Sequence, residues 1–136
     1  MPFCVNEVMV HEGYRSFEDL DVWKKAREVK NEIFQLVKTF PAEEKYRLID
    51  QLVRSSRSVN AQIAEGHGKR TNPDKIKYCT QARGSLSETL NHLIDALDCS
   101  YINPEQLQYY RNRITEVERV LNGYIRYLKS LPQTTP

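Results

Sequence analysis

Arg83 is the side chain whose placement most needs a chemical explanation. It falls at the alternating three- and four-residue spacing of Ile76, Cys79, Leu86, Leu90, Leu93 and Leu97. That period is the signature of a helix face turned into a core. The pattern therefore puts a guanidinium in an apolar seam, flanked by Ala82, Gly84 and Ser85. Small residues let two helices approach closely, and a guanidinium taken out of water needs a partner, best a carboxylate. Glu65, at the end of the preceding helical pattern, and Glu88, further along the same one, are the candidates. One reading is an Arg83–Glu65 pair that pins the second helix to the third. The other is that Arg83 reaches solvent from the seam edge while its stem stays apolar.

The second chemical feature is a run of cations. Lys69, Arg70, Lys75, Lys77 and Arg83 are opposed locally only by Asp74, and residues 84–108 then hold four acids and no Lys or Arg. Arg47, Arg54 and Arg57 fall away from the apolar face of the preceding helix. Such a patch suits phosphate contacts that neutralise charge without reading base sequence, and Tyr78 could stack on an unpaired base. The competing reading is an ordinary solvated surface, since the net charge is only +2.

Catalytic patterns are weak. Di-iron bundles need Glu-x-x-His on two helices; here Glu88 and His92 are four apart, and His11 and His67 lie outside helix interiors. Cys79 sits on an apolar face and reads as core filling. No serine lies in G-x-S-x-G. The turn Gly66-His67-Gly68-Lys69-Arg70-Thr71 lacks the spacing and the preceding strand of a phosphate loop. The expectation is no enzymatic activity, no metal, no cofactor and no small-molecule substrate.

Four helical patterns must position these residues. The first runs from Ser16, as N-cap, to Phe40, with Val22, Ala26, Val29, Ile33, Leu36 and Phe40 as its seam and Pro41 as its stop. The second runs from about Glu43 to Glu65, with Ile49, Leu52, Ser56, Val59, Ile63 and Gly66 inward. Gly66 and Gly68 stop it, glycine being the residue that accepts the left-handed conformation at a helix end. The third opens at Asn72-Pro73, Asn72 as cap and Pro73 at the first helical position. The fourth opens at Pro104 and carries Leu107, Tyr110, Ile114, Val117, Leu121, Tyr124, Leu128 and Leu131. Patterns of about 20–27 residues, each roughly 30–40 Å long, joined by short turns, predict an all-α, antiparallel, up-down-up-down four-helix bundle. Residues 1–15 read as an N-terminal arm with a small apolar cluster, residues 16–131 as the bundle, and 132–136 as a tail. Additional apolar side chains beside the seams, Trp23, Phe34 and Val37 on the first helix and Tyr109, Val120 and Tyr127 on the fourth, fit either deeper burial or subunit contacts.

A chain of 136 residues with this composition is one soluble domain by size. Three cysteines without CxxC spacing suit a reducing compartment. No signal peptide and no apolar run of membrane-spanning length is present, so a cytoplasmic location is expected.

Three blocks, in order, carry a family resemblance: Phe17 to Ala26 (FEDLDVWKKA), Ile63 to Arg70 (IAEGHGKR) and Ala82 to Glu88 (ARGSLSE). The likeness extends over about residues 14–131. The chain resembles the bacterial four-helix-bundle proteins related to the 23S rRNA intervening-sequence protein. It departs from their pattern in having Gln62 where Asn usually precedes Ile-Ala-Glu-Gly. The resemblance implies no known enzymatic activity. It also implies likeness to the accessory proteins of diversity-generating retroelements, which form homopentameric barrels and bind nucleic acid and a reverse transcriptase through basic surfaces. The combined expectation is a homo-oligomer, a pentamer by resemblance, that binds RNA or another nucleic acid through Arg47, Arg54, Arg57, Lys69, Arg70, Lys75 and Lys77. Glu65, Gly66, Arg83, Gly84, Ser85 and Glu88 would fix the second helix on the third. A protein-interaction scaffold without nucleic acid is the alternative.

Overall fold

The computed structural model describes residues 16–132. The expected arm, residues 1–15, and most of the tail lie outside them. Among the described residues there are four long helices and no strand: α1 (Asp21–Leu36), α2 (Leu48–His67), α3 (Asn72–Asp98) and α4 (Pro104–Ser130). They form the expected four-helix bundle.

Local chemistry sets the helix ends, and several differ from the sequence expectation. Ser16 does cap a turn, its Oγ accepting from the Glu18 amide at 3.2 Å, but that turn is a short 3-10 segment over Phe17–Asp19. Leu20 then takes an extended conformation, so α1 starts at Asp21. Residues 42–44 form another 3-10 turn, which delays α2 to Leu48. Glu44 completes that start. One carboxylate oxygen accepts from the Leu48 amide at 3.3 Å and the other from the Tyr101 hydroxyl at 2.8 Å. The bond to Glu44 pushes the Tyr101 phenol up to about 12. At the other end of α2, Gly68 is right-handed, φ −80°, so no left-handed cap is used. The α3 cap is Thr71, which accepts from the Asp74 amide at 3.3 Å. Asn72, one residue on, instead donates to the Pro132 carbonyl at 3.3 Å. Asn103 and Gln106 close a reciprocal capping box at 2.8 and 2.9 Å that starts α4, each satisfying an amide that the helix leaves open.

The α1 seam is buried as its spacing predicts: Val22, Ala26, Val29, Ile33, Leu36 and Phe40. On α3 the seam is rotated. Cys79, Ala82, Leu86, Thr89, Leu93 and Ala96 are buried, while Ile76, Arg83, Leu90 and Leu97 are only half-buried. Small side chains cause the shift. Thr89 donates to Ser55 of α2 at 2.9 Å, and Ser55 and Ser56 are buried too. On α4, Ile125 takes the buried place expected for Tyr124.

Contacts between neighbours run in opposite directions. Ser58 meets Ser85 at 3.0 Å and Ser55 meets Thr89 at 2.9 Å. Arg83 bonds Asn122 while Asn72 bonds the Pro132 carbonyl. Arg113 pairs with Glu28 at 3.2 Å and with Glu32 at 3.1 Å, and Tyr109 donates to Glu32. In each case one number rises as the other falls.

Candidate nucleic-acid interface

The basic residues of the α2–α3 end are arranged by one close contact. A Cβ on Gly66 would lie 2.8 Å from the Tyr78 Cβ and 3.3 Å from the Lys75 carbonyl oxygen. Only a missing side chain at position 66 lets the first turns of α3 pack this tightly on the last turn of α2. Tyr78 is thereby fixed beside the turn, and Lys69 lies over its ring, Nζ 5.0 Å from the centroid. A cation over an aromatic face is attracted by the ring quadrupole.

Lys75 has a structural task. Its Nζ donates to the His67 carbonyl oxygen at 2.8 Å, a cation on the negative end of α2. Burial holds the Lys75 ammonium below its ordinary range. Burial, then the Lys75 charge, hold the His67 imidazole below its ordinary value, and Asp19 acts weakly the other way. One turn on from Lys75, the Cys79 thiol is pushed up to about 11 by burial. At neutral pH it is a thiol in the core, without the thiolate character of a nucleophile.

Arg70 and Lys77 are exposed, and their side chains make no hydrogen bond or ion pair with another described residue. Arg47 is likewise exposed, at the opposite end of α2. Arg54 pairs with Asp50 at 3.7 Å, and Arg57 lies over the Phe34 ring at 5.7 Å. The 20 residues of α2 span about 30 Å, so the seven cations do not form one patch. Lys69, Arg70, Lys75 and Lys77 belong to the α2–α3 turn and the first turns of α3. Arg54 and Arg57 lie further back along α2, separated from that end by several helical turns.

Arg83 meets neither glutamate. Its Nη1 donates to the Asn122 Oδ1 at 2.8 Å, while Glu65 and Glu88 are exposed. The rotation of the α3 seam explains this correction. Position 83 turns toward α4, and a half-buried guanidinium is satisfied there by a neutral amide. The same rotation sets Gly84 toward solvent, where a Cβ would have nothing within 4 Å. Ser85 joins Ser58 across the α2–α3 contact. Glu88 lies 3.1 Å from the buried His92 Nε2 and accepts from it when that nitrogen carries the proton, with Asp95 4.0 Å from Nδ1. Among the described residues, no three His, Cys, Asp or Glu side chains converge to hold a metal ion, and no helix is long and apolar enough to cross a membrane.

Sequence spacing does not reveal the hydroxyl bonds of Ser55, Ser58, Ser85 and Thr89, or the roles of Asn122 and Lys75. Serines three apart on α2, and Ser and Thr four apart on α3, are the available signal.

A family model described as 23S rRNA-intervening sequence protein matches residues 18–123. A solved structure from Bacteroides thetaiotaomicron, a protein of unknown function from the S23 ribosomal protein family, is similar at 28% identity. The match covers 76% of this chain and 97% of that one, with a TM-score of 0.70. No curated protein matches the chain.

Proposed function

This chain belongs to the 23S rRNA-intervening sequence protein family, and we propose that it is a non-enzymatic, homo-oligomeric, cytoplasmic bundle protein that binds RNA or another nucleic acid at its α2–α3 end. The observation that carries the reading is Lys69 over the Tyr78 ring at the α2–α3 end, with Arg70 and Lys77 close by in sequence, both exposed and without a side-chain partner among the described residues. Exposed cations neutralise phosphates and release counterions. The Tyr78 ring offers a stacking surface beside them once Lys69 swings away. Arg47 is a further exposed contact point beside Glu44, and Arg54 and Arg57 join only by leaving Asp50 and Phe34. Lys75 supports the site by holding the end of α2. The raised pKa of the buried Cys79 thiol favours binding over thiolate catalysis at this end.

The alternative, a protein-interaction scaffold, draws on exposed aromatics: Tyr46 is 83%, Tyr127 50% and Tyr109 49% exposed. Light-scattering mass of the pure protein, with and without a mixed RNA pool at low and high salt, separates the two. A multiple of the 16.0 kDa chain that gains RNA mass at low salt and loses it at high salt is the expected result. The pentamer implied by resemblance is the multiple to look for. A multimer indifferent to RNA would reject nucleic-acid binding in favour of the scaffold.

A further inference from the structure

Along one flank of the bundle, α1 and α2 leave an apolar groove that no described element fills. Two adjoining clefts, of about 340 and 200 Å³, share Phe34 and Val53. Val37, Phe40 and Ile49 complete the floor. Phe34 is 41% exposed although it is one of the largest apolar residues of α1.

The rim is basic. Lys30 and Arg57 border one cleft, and Lys38 and Lys45 the other; no acidic residue lines either. Two of these cations lie on the Phe34 ring, Lys38 at 4.9 Å and Arg57 at 5.7 Å. Of the acids on α1 and α2 near the clefts, three are engaged elsewhere, and Glu43 is exposed beside Ala42. Asp50 is paired with Arg54, and Glu28 and Glu32 face α4, where Arg113 binds them. An apolar floor between rows of cations fits a segment that is apolar and acidic.

The chain carries such a segment ahead of Ser16. Phe3, Val5, Val8, Met9 and Val10 are interspersed with Glu7 and Glu12, and Arg15 is the first Lys or Arg. The geometry of the exit agrees. The 3-10 turn at Phe17–Asp19 packs against α2, and Asp19 is close enough to His67 to act on its charge. The chain therefore enters the bundle on the α1–α2 flank, at the end of α2. Phe34 is about 25 Å along the bundle from Ser16 at 1.5 Å per helical residue. Val5 to Val10 lie between eleven and six residues ahead of Ser16, a reach of about 20–38 Å in an extended chain. The cleft at the opposite end of α1, about 270 Å³ beside Leu20, Tyr124 and Tyr127, is lined by Asp21 and repels the same segment.

We propose that residues 3–12 of this chain dock into the α1–α2 groove of the same molecule, Val5 to Val10 on the Phe34–Val53 floor and Glu7 and Glu12 against the lysine rim. The docked segment would cover Phe34 and occupy Arg57.

Disulfide trapping in the full chain tests this, using Cys4 of the segment. Asn31 is exposed and lines the groove; Ser87 is likewise exposed, on α3. Asn31→Cys and Ser87→Cys are each made in a Cys99→Ser background and oxidised mildly. Docking predicts intramolecular trapping at position 31 at least about tenfold faster than at position 87, because docking raises effective concentration. Glu7→Lys with Glu12→Lys should return the rate to that of the Ser87 control. Equal rates at the two positions, or a rate unmoved by the charge reversals, would overturn the proposal. Trapping only between chains would also overturn it and place the segment of a second copy in the groove.

Discussion

Gly66→Ala and Gly84→Ala are the same chemical change in two adjoining helices, and they should act in opposite directions. Each replaces glycine by the best helix former, a gain of about 0.5–1 kcal/mol. At position 84 nothing lies within 4 Å of the new methyl group, so the gain stands unopposed. At position 66 the methyl carbon would meet the Tyr78 Cβ at 2.8 Å and the Lys75 carbonyl oxygen at 3.3 Å. Neither atom is the far end of a flexible chain, so α3 itself must move off α2. Overpacking of this kind costs about 1–3 kcal/mol, which leaves Gly66→Ala at a net loss of up to about 2.5 kcal/mol after the propensity gain. Urea unfolding followed by helix circular dichroism measures both. The two midpoints should separate on either side of the parent, with unchanged slope. If Gly66→Ala proved as stable as Gly84→Ala, the close approach that positions Tyr78 and Lys69 would be wrong, and with it the geometry of the basic end.

Single contacts set three other expectations. Arg83→Met should cost about 1.5–3 kcal/mol in the same unfolding assay, the value of a hydrogen bond with one charged partner; a loss well above 3 kcal/mol, up to about 5, would point to a buried ion pair instead. Because His67 has a folded-state pKa below its unfolded value, the unfolded chain binds more protons in the window just below the ordinary histidine pKa. Stability must therefore rise with pH through that window and fall as acid is added, and His67→Gln should flatten this part of the curve. For binding of a labelled single-stranded RNA followed by anisotropy, phosphate contacts from Arg47, Lys69, Arg70 and Lys77 predict a slope of log K against log salt of about −3, whereas all seven cations would give about −5. Arg70→Glu with Lys77→Glu should reduce both affinity and slope; no change would refute the α2–α3 end as the phosphate site.

The fold is legible in the sequence because its signal is redundant. Five apolar positions on α1 agree on one face, and an error at one position does not turn the helix. The α3 seam is ambiguous where that redundancy fails. Ile76, Leu90 and Leu97 advertise one face, Ala82, Thr89 and Ala96 another, and burial takes the second together with Leu86 and Leu93, with Thr89 bonded to Ser55 of α2. Periodicity weighs size and hydrophobicity; it does not see the partner surface. The expected Arg83–Glu65 pair is a consequence of choosing the wrong face. The basic run is visible by composition, but its division into a clustered end and separate α2 sites depends on rotation and rise along α2. The task of Lys75, set by its bond to the His67 carbonyl, has no sequence pattern of its own.

The short turn between α2 and α3 also sets an order of events during synthesis. Ser58 and Ser85 are 27 residues apart, and Lys75 and the His67 carbonyl only 8, whereas Arg113 is 85 residues from Glu28. Loop closure favours the near pairs first. Helix α1 leaves the ribosome before any other, yet its α4 partner is the last to be made. At about 5–20 residues per second, a complete α2–α3 hairpin exists for seconds before α4 arrives. During that interval the nascent α1 has one surface to rest on, the flank of α2. The face it shares with α2 is thus the first long-range contact α1 can make, and the groove along that face is complete before α4 exists.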